Sequence, residues 1–505
     1  MNAVLIILTA CLPVAPQAAP AQYGKLSLDQ LRSLRKKAAW RKRRMIFNND
    51  GDDVIYKARV PTAEALLAAR TSPLLGSQVD TIFYSNSLCF GQALHNSQVM
   101  EPFTCREAMF KPNALPGLMA KGLDPIQVMV DFCHKQGIEI FWDMRMNDTH
   151  DSNLSSYGPY LLPKLKKEHP EYLVGAANKQ PPFGTWSSVD YAQPEVRDLL
   201  FRFLEEVCRK FDVDGIEMDF FRHACFFKSV AHGSKASQAE LDMMTDLVRR
   251  VRAMTEHEGL RRGRPILIAI RVPDCVDYSR GIGLDVERWL ADGLVDILVG
   301  TGYFRLNRWE HLVELGHKHG VSVYPCLSDS RVRGETRFHR RAIESYRGRA
   351  LNAWNAGADG IYIFNYFDPR GAIWRELGDP EALHRMDKLY FVTVRNGNPG
   401  RYLRNGRHCL HTPQLTPTEP MLVPPDRPQE VEINVGDDLA QALAAGLEPS
   451  VTFHLRTSGG SDVQATLNAA TLRDPIANDD WLDFAVDPTL GRRGAHRPAV
   501  LAQPG

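Results

Sequence analysis

The sequence predicts an α/β protein, a (β/α)8 barrel followed by a small C-terminal β-sandwich, and three observations carry that prediction. Between residue 45 and about 390, eight short runs of β-branched and aromatic residues alternate with amphipathic helical stretches. The runs are apolar almost throughout, which marks strands buried on both faces and therefore a parallel sheet. Beyond about 390 the texture changes to period-two alternation between turn residues, the pattern of an antiparallel sandwich.

The chain opens on MNAVLIILTAC, an apolar run too short to cross a bilayer and suited to the core of a signal peptide, with Ala19-Pro20-Ala21 behind it as a small-x-small cleavage motif. Residues 1–21 are accordingly expected to direct export, to the periplasm, the medium or the outer surface. Leu8-Thr9-Ala10-Cys11 also resembles a lipobox, which would make Cys11 a lipid anchor; a buried N-terminal strand is the alternative. No later segment has the length and apolarity of a membrane span. Residues 22–43 form a basic helical segment. Its RSLRKKAAWRKRR (32–44) is read as a helix face leading into the first strand, not as a nucleic-acid arm, because 61 Lys and Arg balance 60 Asp and Glu at a formal charge of +1.

The barrel is expected over 44–394. Its runs are MIFNN (45–49), VDTIFYS (79–85), IEIFWD (138–143), VDGIEMD (213–219), PILIAIR (265–271), VDILVG (295–300), VSVYPCL (321–327) and GIYIFN (360–365). Helices are expected between them, among others at 125–136, 194–211, 237–258, 308–319 and 336–356, and Gly137, Gly320 and Gly357 stand where left-handed C-caps belong. Eight units in about 345 residues fit a closed barrel better than an open sheet. No GxGxxG or GxxxxGKS/T follows a strand, so no nucleotide cofactor is signalled. The nine cysteines include no CxxC, which argues against structural zinc; Cys89 and Cys105 flank one loop and could pair in an oxidising compartment. Residues 395–428, rich in Pro, Thr and Arg, read as a linker, and 429–505 as the sandwich.

In such a barrel chemistry belongs at the C-terminal strand ends, where the βα loops converge. In strand order these ends carry Asn48, Asn49 and Asp50; Tyr84, Ser85 and Asn86; Asp143, Arg145, Asn147 and Asp148; and Glu217, Asp219, Arg222 and His223. Arg271 and Asp274, Tyr303, then Ser328, Asp329 and Arg331, and finally Asn365, Tyr366 and Asp368 complete the cup. Alternation places Glu217 and Asp219 on one face, about 6.6 Å apart, and two carboxylates in a confined cup raise one another's affinity for protons. Cleavage of a glycosidic bond needs such a pair: one acid to protonate the leaving oxygen, another as base, nucleophile or charge stabiliser. In a second reading Glu217 is a deep structural acid paired with an arginine such as Arg271, and Asp219 acts alone from this strand.

The stretch SVDYAQPEVRDLLFRFLEEVCRKFDVDGIEMDFFRH (188–223) resembles the signature of the glycosyl hydrolase-like family 10 barrels, where a Pro-Glu-Val-Arg helix leads into Asp-Val-Asp-Gly-Ile and an acidic strand end. GIEIFWDMR, VDILVGTGYF and ADGIYIFNYF resemble that family's third, sixth and eighth strands, and the similarity covers roughly residues 44–390. The resemblance implies a TIM barrel acting on glycosidic bonds, with Asp219 at the family's strand-end aspartate. Two departures matter. Phe220 stands where that family often carries a second acid, and Phe221 stands where chitinase-like barrels place their catalytic Glu.

The protein is therefore expected to be a glycoside hydrolase that cleaves a poly- or oligosaccharide without a cofactor. Asp219 is the expected acid/base or nucleophile, Glu217 its partner or a neighbour that sets its pKa, and Asp329 or Asp143 the opposing carboxylate, with Asp50 as third candidate. Asn49, Asp50, Arg145, Asn147, Arg222, His223, Arg271, Tyr303, Asn365 and Tyr366 are expected to bind hydroxyls or, given the arginines, an acidic sugar. NDTHD (147–151) with His223 offers carboxylate and imidazole to a divalent cation, but no HxH or HExxH spacing fixes two ligands on one element, and no metal ligand is assigned. IFNNDGDD (46–53) fails the EF-hand test, because its glycine is fourth from Asn48 and not sixth. The alternatives are a non-catalytic glycan-binding surface lipoprotein and a metal-dependent hydrolase.

Overall fold

The computed structural model describes residues 26–328, 332–395, 397–458 and 463–502, so the expected signal segment and Asp329 lie outside the described residues. Eight strands form at the eight expected runs: β1 Met45–Asn49, β2 Val79–Tyr84, β3 Glu139–Arg145, β4 Gly215–Asp219, β5 Leu267–Val272, β6 Ile297–Gly300, β7 Ser322–Ser328 and β8 Ile361–Phe364. Each pairs in parallel with its neighbour in this series, and β8 returns to β1 through Met45 opposite Ile361, which closes a (β/α)8 barrel. The strands are apolar on both faces because helices cover the outside while Ile46, Phe83, Phe141, Ala269, Val299, Tyr324 and Tyr362 fill the inside. Gly215 in VDGIEMD is dictated by that filling: a Cβ there would lie 2.2 Å from the Phe141 ring.

Helix ends follow their sequence signals. Ser27 and Gln30 form a capping box at α1 Leu28–Ala39, Asp124 caps α2 Pro125–Lys135, and Ser237 with Glu240 boxes the start of a long helix, Gln238–Arg262. With α3 Pro194–Lys210 before it, that helix is α4; α5 is Trp309–Lys318 and α6 Ile343–Asn355. Gly137, Gly320 and Gly357 take φ of +71°, +69° and +90°, as left-handed caps require. The helix expected at 336–356 starts only at Ile343. The preceding residues dock on the C-terminal sheets instead: Arg337 reaches Asp483 at 2.6 Å, and Trp481 Nε1 donates to Thr336 Oγ1 at 3.3 Å.

The basic N-terminal segment closes the floor of the barrel. Arg43, fully buried, donates to both oxygens of Glu139 on β3 at 2.7 and 3.1 Å, and Thr81 on β2 donates to the same carboxylate at 2.9 Å. Arg32 and Arg35 pair with Glu256 on α4, and Arg44 with Asp80. Most of the arginines of RSLRKKAAWRKRR are thus matched by acids of the barrel, and Lys36, Lys37 and Lys42 remain exposed.

After the barrel the chain returns over it. Arg395, buried at the start of the expected linker, donates to Thr301 Oγ1 at 3.1 Å, to Gly302 O and to Cys326 O at 2.5 Å, which pins the segment across the ends of β6 and β7. From Gln429 onward, antiparallel strands form small sheets around Ala465, Leu467, Leu472, Leu482, Phe484 and Val486. No helix among the described residues is long and apolar enough to cross a membrane.

Removing one partner of the floor ion pair strands a buried charge, which typically costs about 3–5 kcal/mol. Glu139→Gln is expected to lower the stability of the barrel by that order in denaturant unfolding; a loss under about 1 kcal/mol would show that the pair is solvated.

Candidate active site

The mouth of the barrel is organised around β4. Pleat alternation turns Glu217 and Asp219 inward and Met218 outward into the helix layer. Arg271, opposite Asp219 on β5, donates through Nε to Oδ1 at 3.0 Å and through Nη2 to Oδ2 at 2.5 Å, and both side chains are 0% exposed. A third donor, the Phe221 amide, reaches Asp219 Oδ1 at 2.9 Å. Arg271 therefore pairs with Asp219 and not with Glu217. Glu217 Oε2 accepts from the Tyr362 hydroxyl at 2.7 Å. Asp143 on β3, in register with Glu217, accepts from Asn48 Nδ2 at 2.9 Å.

Two of these acids are shifted toward their protonated forms. Burial raises Asp143 to about 7, with the Asp219 charge adding to the rise and Arg271 and Arg145 opposing it. Burial, then the neighbouring Asp143, pushes Glu217 well above the usual carboxylate range. Asp219 is the carboxylate of a buried ion pair with an arginine, a residue that does not give up its proton.

Above this layer a ring of charged groups rims the mouth. Arg145 donates to Asp50 and, at 3.1 Å, to Asp148 Oδ2; His150 Nδ1 meets Asp148 Oδ1 at 2.5 Å; Arg222 Nη2 lies 3.3 Å from His150 Nε2. Arg222 closes the ring, with Nη1 donating to Asn365 Oδ1 at 3.1 Å and Nη2 3.9 Å from Asp50. Burial works to raise Asp50, but Arg145, then Arg222 and Arg70, outweigh it and hold the carboxyl at about 2. Burial likewise opposes ionisation of Asp148, yet His150 and Arg145 keep it well below the usual range. Burial, then His150, drives His223 well below the ordinary histidine value. His223, Thr301 and Asn365 hold φ of +79°, +72° and +57°, left-handed backbone in residues other than glycine at three strand ends.

The expected site residues divide sharply. Asp219, Glu217, Asp143, Asp50, Arg145, Arg222, His223, Arg271 and Asn365 converge on the mouth, and Tyr303 stands over it with its ring 6.2 Å from Phe364 and 6.3 Å from His223. Asn49 does not: it faces outward, donating to Asp53 at 3.0 Å and accepting from Arg70 at 3.3 Å, because alternation gives the inward position to Asn48. Asn147 spends its amide on the backbone of Val189 and Cys225, where it staples two loops. Tyr366 turns away to pack on Tyr346 and Trp374. The assignment of Asn49, Asn147 and Tyr366 to sugar binding is corrected accordingly. Asn48, Asp148, His150 and Tyr362 were not assigned roles from the sequence. Strict alternation from Ile46 would have found Asn48.

Asp148, His150 and His223 each bring one ligand atom within 4.8 Å of the others, a donor set of the type that holds divalent transition metals. Their hydrogen bonds oppose that use. An arginine only donates, so His150 Nε2 accepts and its proton sits on Nδ1, while His223 Nδ1 already accepts from the Thr149 amide at 3.2 Å.

Because the folded value of Asp143 lies above its unfolded one, its contribution to stability is complete below about pH 4 and is lost as the pH rises through about 7. Unfolding followed between these limits is expected to show declining stability, with a smaller decline in Asp143→Asn. Equal slopes in the two proteins would refute the assignment.

The fold and site can be set beside known proteins. No curated protein matches the chain. Alpha-L-fucosidase isoenzyme 2 from Paenibacillus thiaminolyticus aligns at 14% identity over 68% of this chain and 48% of its own, with a TM-score of 0.40. A GH36 alpha-galactosidase, AgaA, from Geobacillus stearothermophilus aligns at 12% identity over 92% and 56%, with a TM-score of 0.39. The PgaB (BpsB) glycoside hydrolase domain from Bordetella bronchiseptica aligns at 10% identity over 64% and 94%, with a TM-score of 0.41. The chain spans about half the length of the first two. Residues 75–239, from the turn before β2 to the first turn of α4, match the model of the Glycosyl hydrolase-like 10 family, and it is this family that the barrel, with Asp219 at the end of β4, resembles.

Proposed function

We propose that the mouth is the active site of a glycoside hydrolase that cleaves an oligo- or polysaccharide by carboxylate acid/base catalysis. One observation carries this reading. Asn48 Oδ1, Asp143 Oδ1, Glu217 Oε1 and Arg222 Nε are buried at the mouth without hydrogen-bond partners. Folded proteins satisfy about 90% or more of such atoms, so four together call for a ligand that both donates and accepts. A sugar, whose hydroxyls do both, answers that need. The match of residues 75–239 to a glycosyl hydrolase-like family supports the same reading.

In this mechanism Asp143, protonated to about pH 7, delivers its proton to the glycosidic oxygen as the bond to the anomeric carbon breaks. Asp219, fixed by Arg271, presents a carboxylate to the positive charge that develops on the sugar ring. Glu217, beneath them, is shifted toward its own protonated form by burial and then by the neighbouring Asp143. The charges of Arg145, Arg222 and Arg271 are met by Asp148, Asp50 and Asp219, so a neutral sugar fits the point of cleavage better than an acidic one. Work outside the cytoplasm, directed by residues 1–21, is part of the proposal, and N-terminal sequencing of the protein from fractionated cells tests it.

Reducing-end release from a panel of neutral and uronate-containing polysaccharides is the direct assay. Asp219→Asn is expected to lower kcat by about 10²–10⁴-fold while glycan binding persists; binding with no hydrolysis by the wild type would favour a glycan-binding protein instead. Activity on unactivated substrates is expected to fall as the pH rises through about 7, where Asp143 gives up its proton. Asp143→Asn should lose that limb and recover most rate on a dinitrophenyl glycoside, whose leaving group needs no acid. Chelation is expected to leave the rate unchanged; loss on chelation with return on adding Zn²⁺ would favour the metal-dependent reading.

A further inference from the structure

We infer that His150, oriented by Asp148, is the general base of the mouth, the group that takes the proton from the attacking water. The inference rests on the glycoside hydrolase reading above and concerns the half of the chemistry that the carboxylates leave open.

Among the described residues, each acid at the mouth is already committed. Asp219 accepts three hydrogen bonds, two of them from Arg271, so both of its oxygens are already engaged. Burial shifts Asp143 and Glu217 toward their protonated forms. Asp50 is bound to Arg145 and faces Arg222. The two positions after Asp219 carry no acid: Phe220 and Phe221 turn into the apolar layer against Trp289 and Phe304, with ring centroids 5.4 and 4.8 Å apart.

His150 is built for the missing role. Its Nδ1–H points at Asp148 Oδ1, 2.5 Å away, and the backbone amide of His150 donates to that same oxygen at 3.0 Å. Arg145 holds the other oxygen of Asp148 at 3.1 Å. With the proton on Nδ1, the Nε2 lone pair is directed away from Asp148 toward Arg222. This is the geometry in which a carboxylate fixes an imidazole tautomer so that the far nitrogen can accept a proton. The loop is braced below by Lys166, which donates to Asp151 at 2.7 Å and to Asp148 O at 3.3 Å, and by Ser187, which donates to Asp151 at 2.7 Å. The His150 side chain is 28% exposed against 1% for Asp148, so water reaches the imidazole and not its orienting partner.

Among the described residues, Asp50 from the β1 end, Arg145 and Asp148 from the β3 end, and Arg222 and His223 from the loop after β4 face this ring, with the rings of His150 and His223 5.2 Å apart. Arg222 occupies Nε2 until a water or a sugar hydroxyl replaces it. Asp50, 3.9 Å from Arg222 Nη2, and Asn365 are the partners that receive it then.

The step balances. A water oxygen bonds to the anomeric carbon as one of its protons passes to His150 Nε2; the glycosidic C–O bond breaks, and its oxygen takes the proton of Asp143. Return of the proton from His150 to Asp143 through solvent restores the enzyme. One displacement, with acid and base as separate groups, inverts the anomeric configuration.

Two measurements on the full chain test this. Selective ¹⁵N-histidine NMR, with no substrate present, is expected to show His150 protonated on Nδ1 at neutral pH and shifted toward the Nε2–H form in Asp148→Asn. His150→Ala is expected to fold with unchanged thermal unfolding and to lower kcat by about 10²–10⁴-fold, with little change in KM, on the polysaccharide that the wild type hydrolyses. Azide, a nucleophile that needs no base, should restore turnover in this variant and yield the inverted glycosyl azide. His150→Ala that keeps its rate, or loses it without azide rescue, overturns the inference and leaves the hydrolase reading standing. A wild type that hydrolyses nothing overturns both.

Discussion

The ion pair between Asp219 and Arg271 is the constraint on which the rest of the mouth depends. A guanidinium at 0% exposure inside a barrel is tolerable only when an anion meets it, and Asp219 meets it with both oxygens. The Phe364 ring, 3.9 Å from the Arg271 carbon, closes the other side of the cation. With this charge fixed, the protonation of its neighbours follows. Asp143 and Glu217 share a low-dielectric layer with a carboxylate that cannot leave, so Asp143 is raised to about 7 and Glu217 well above the usual carboxylate range. A carboxylate paired with an arginine, beside an acid shifted toward its protonated form, is the combination that acid-catalysed bond cleavage uses.

The rim of the mouth is organised by the same rule of charge compensation one layer higher. Arg145 stands between Asp50 and Asp148, and Arg222 between His150, Asn365 and Asp50. Such a ring holds loops from the ends of β1, β3, β4 and β8 in one arrangement, and left-handed backbone at His223 and Asn365 is sustained by it. Arg395 adds a clamp from beyond the barrel, tying Thr301 and Gly302 to the end of β7. The segment read as a linker therefore takes part in shaping the mouth.

Several features were legible in the residues themselves. Runs such as PILIAIR and VDILVG are too short for helices and too apolar for half-exposed strands, and eight of them separated by capped helices leave a closed parallel barrel as the economical solution. The alternation of Glu217 and Asp219 toward one face followed from the pleat, as did the position of the cup. Where alternation was not applied, the reading erred: Asn49 was assigned to the mouth although Ile46 and Asn48 share the inner face. Cap glycines were readable because a left-handed C-cap admits few other residues, whereas the start of α6 was not, since it is set by contacts of residues 336–342 with a sheet more than a hundred positions away.

By itself, then, the sequence determined the strand count, the buried faces and the end of the barrel where acids collect, because periodicity and turn chemistry are local properties of a chain. Only the tertiary structure decided which acid meets which arginine. Arg271 lies 52 positions from Asp219 and Tyr362 lies 145 from Glu217, and nothing in their spacing says that the guanidinium takes the upper carboxylate and the phenol the lower. That choice belongs to strand register and barrel closure. Through burial and neighbouring charge it sets which carboxyl keeps its proton.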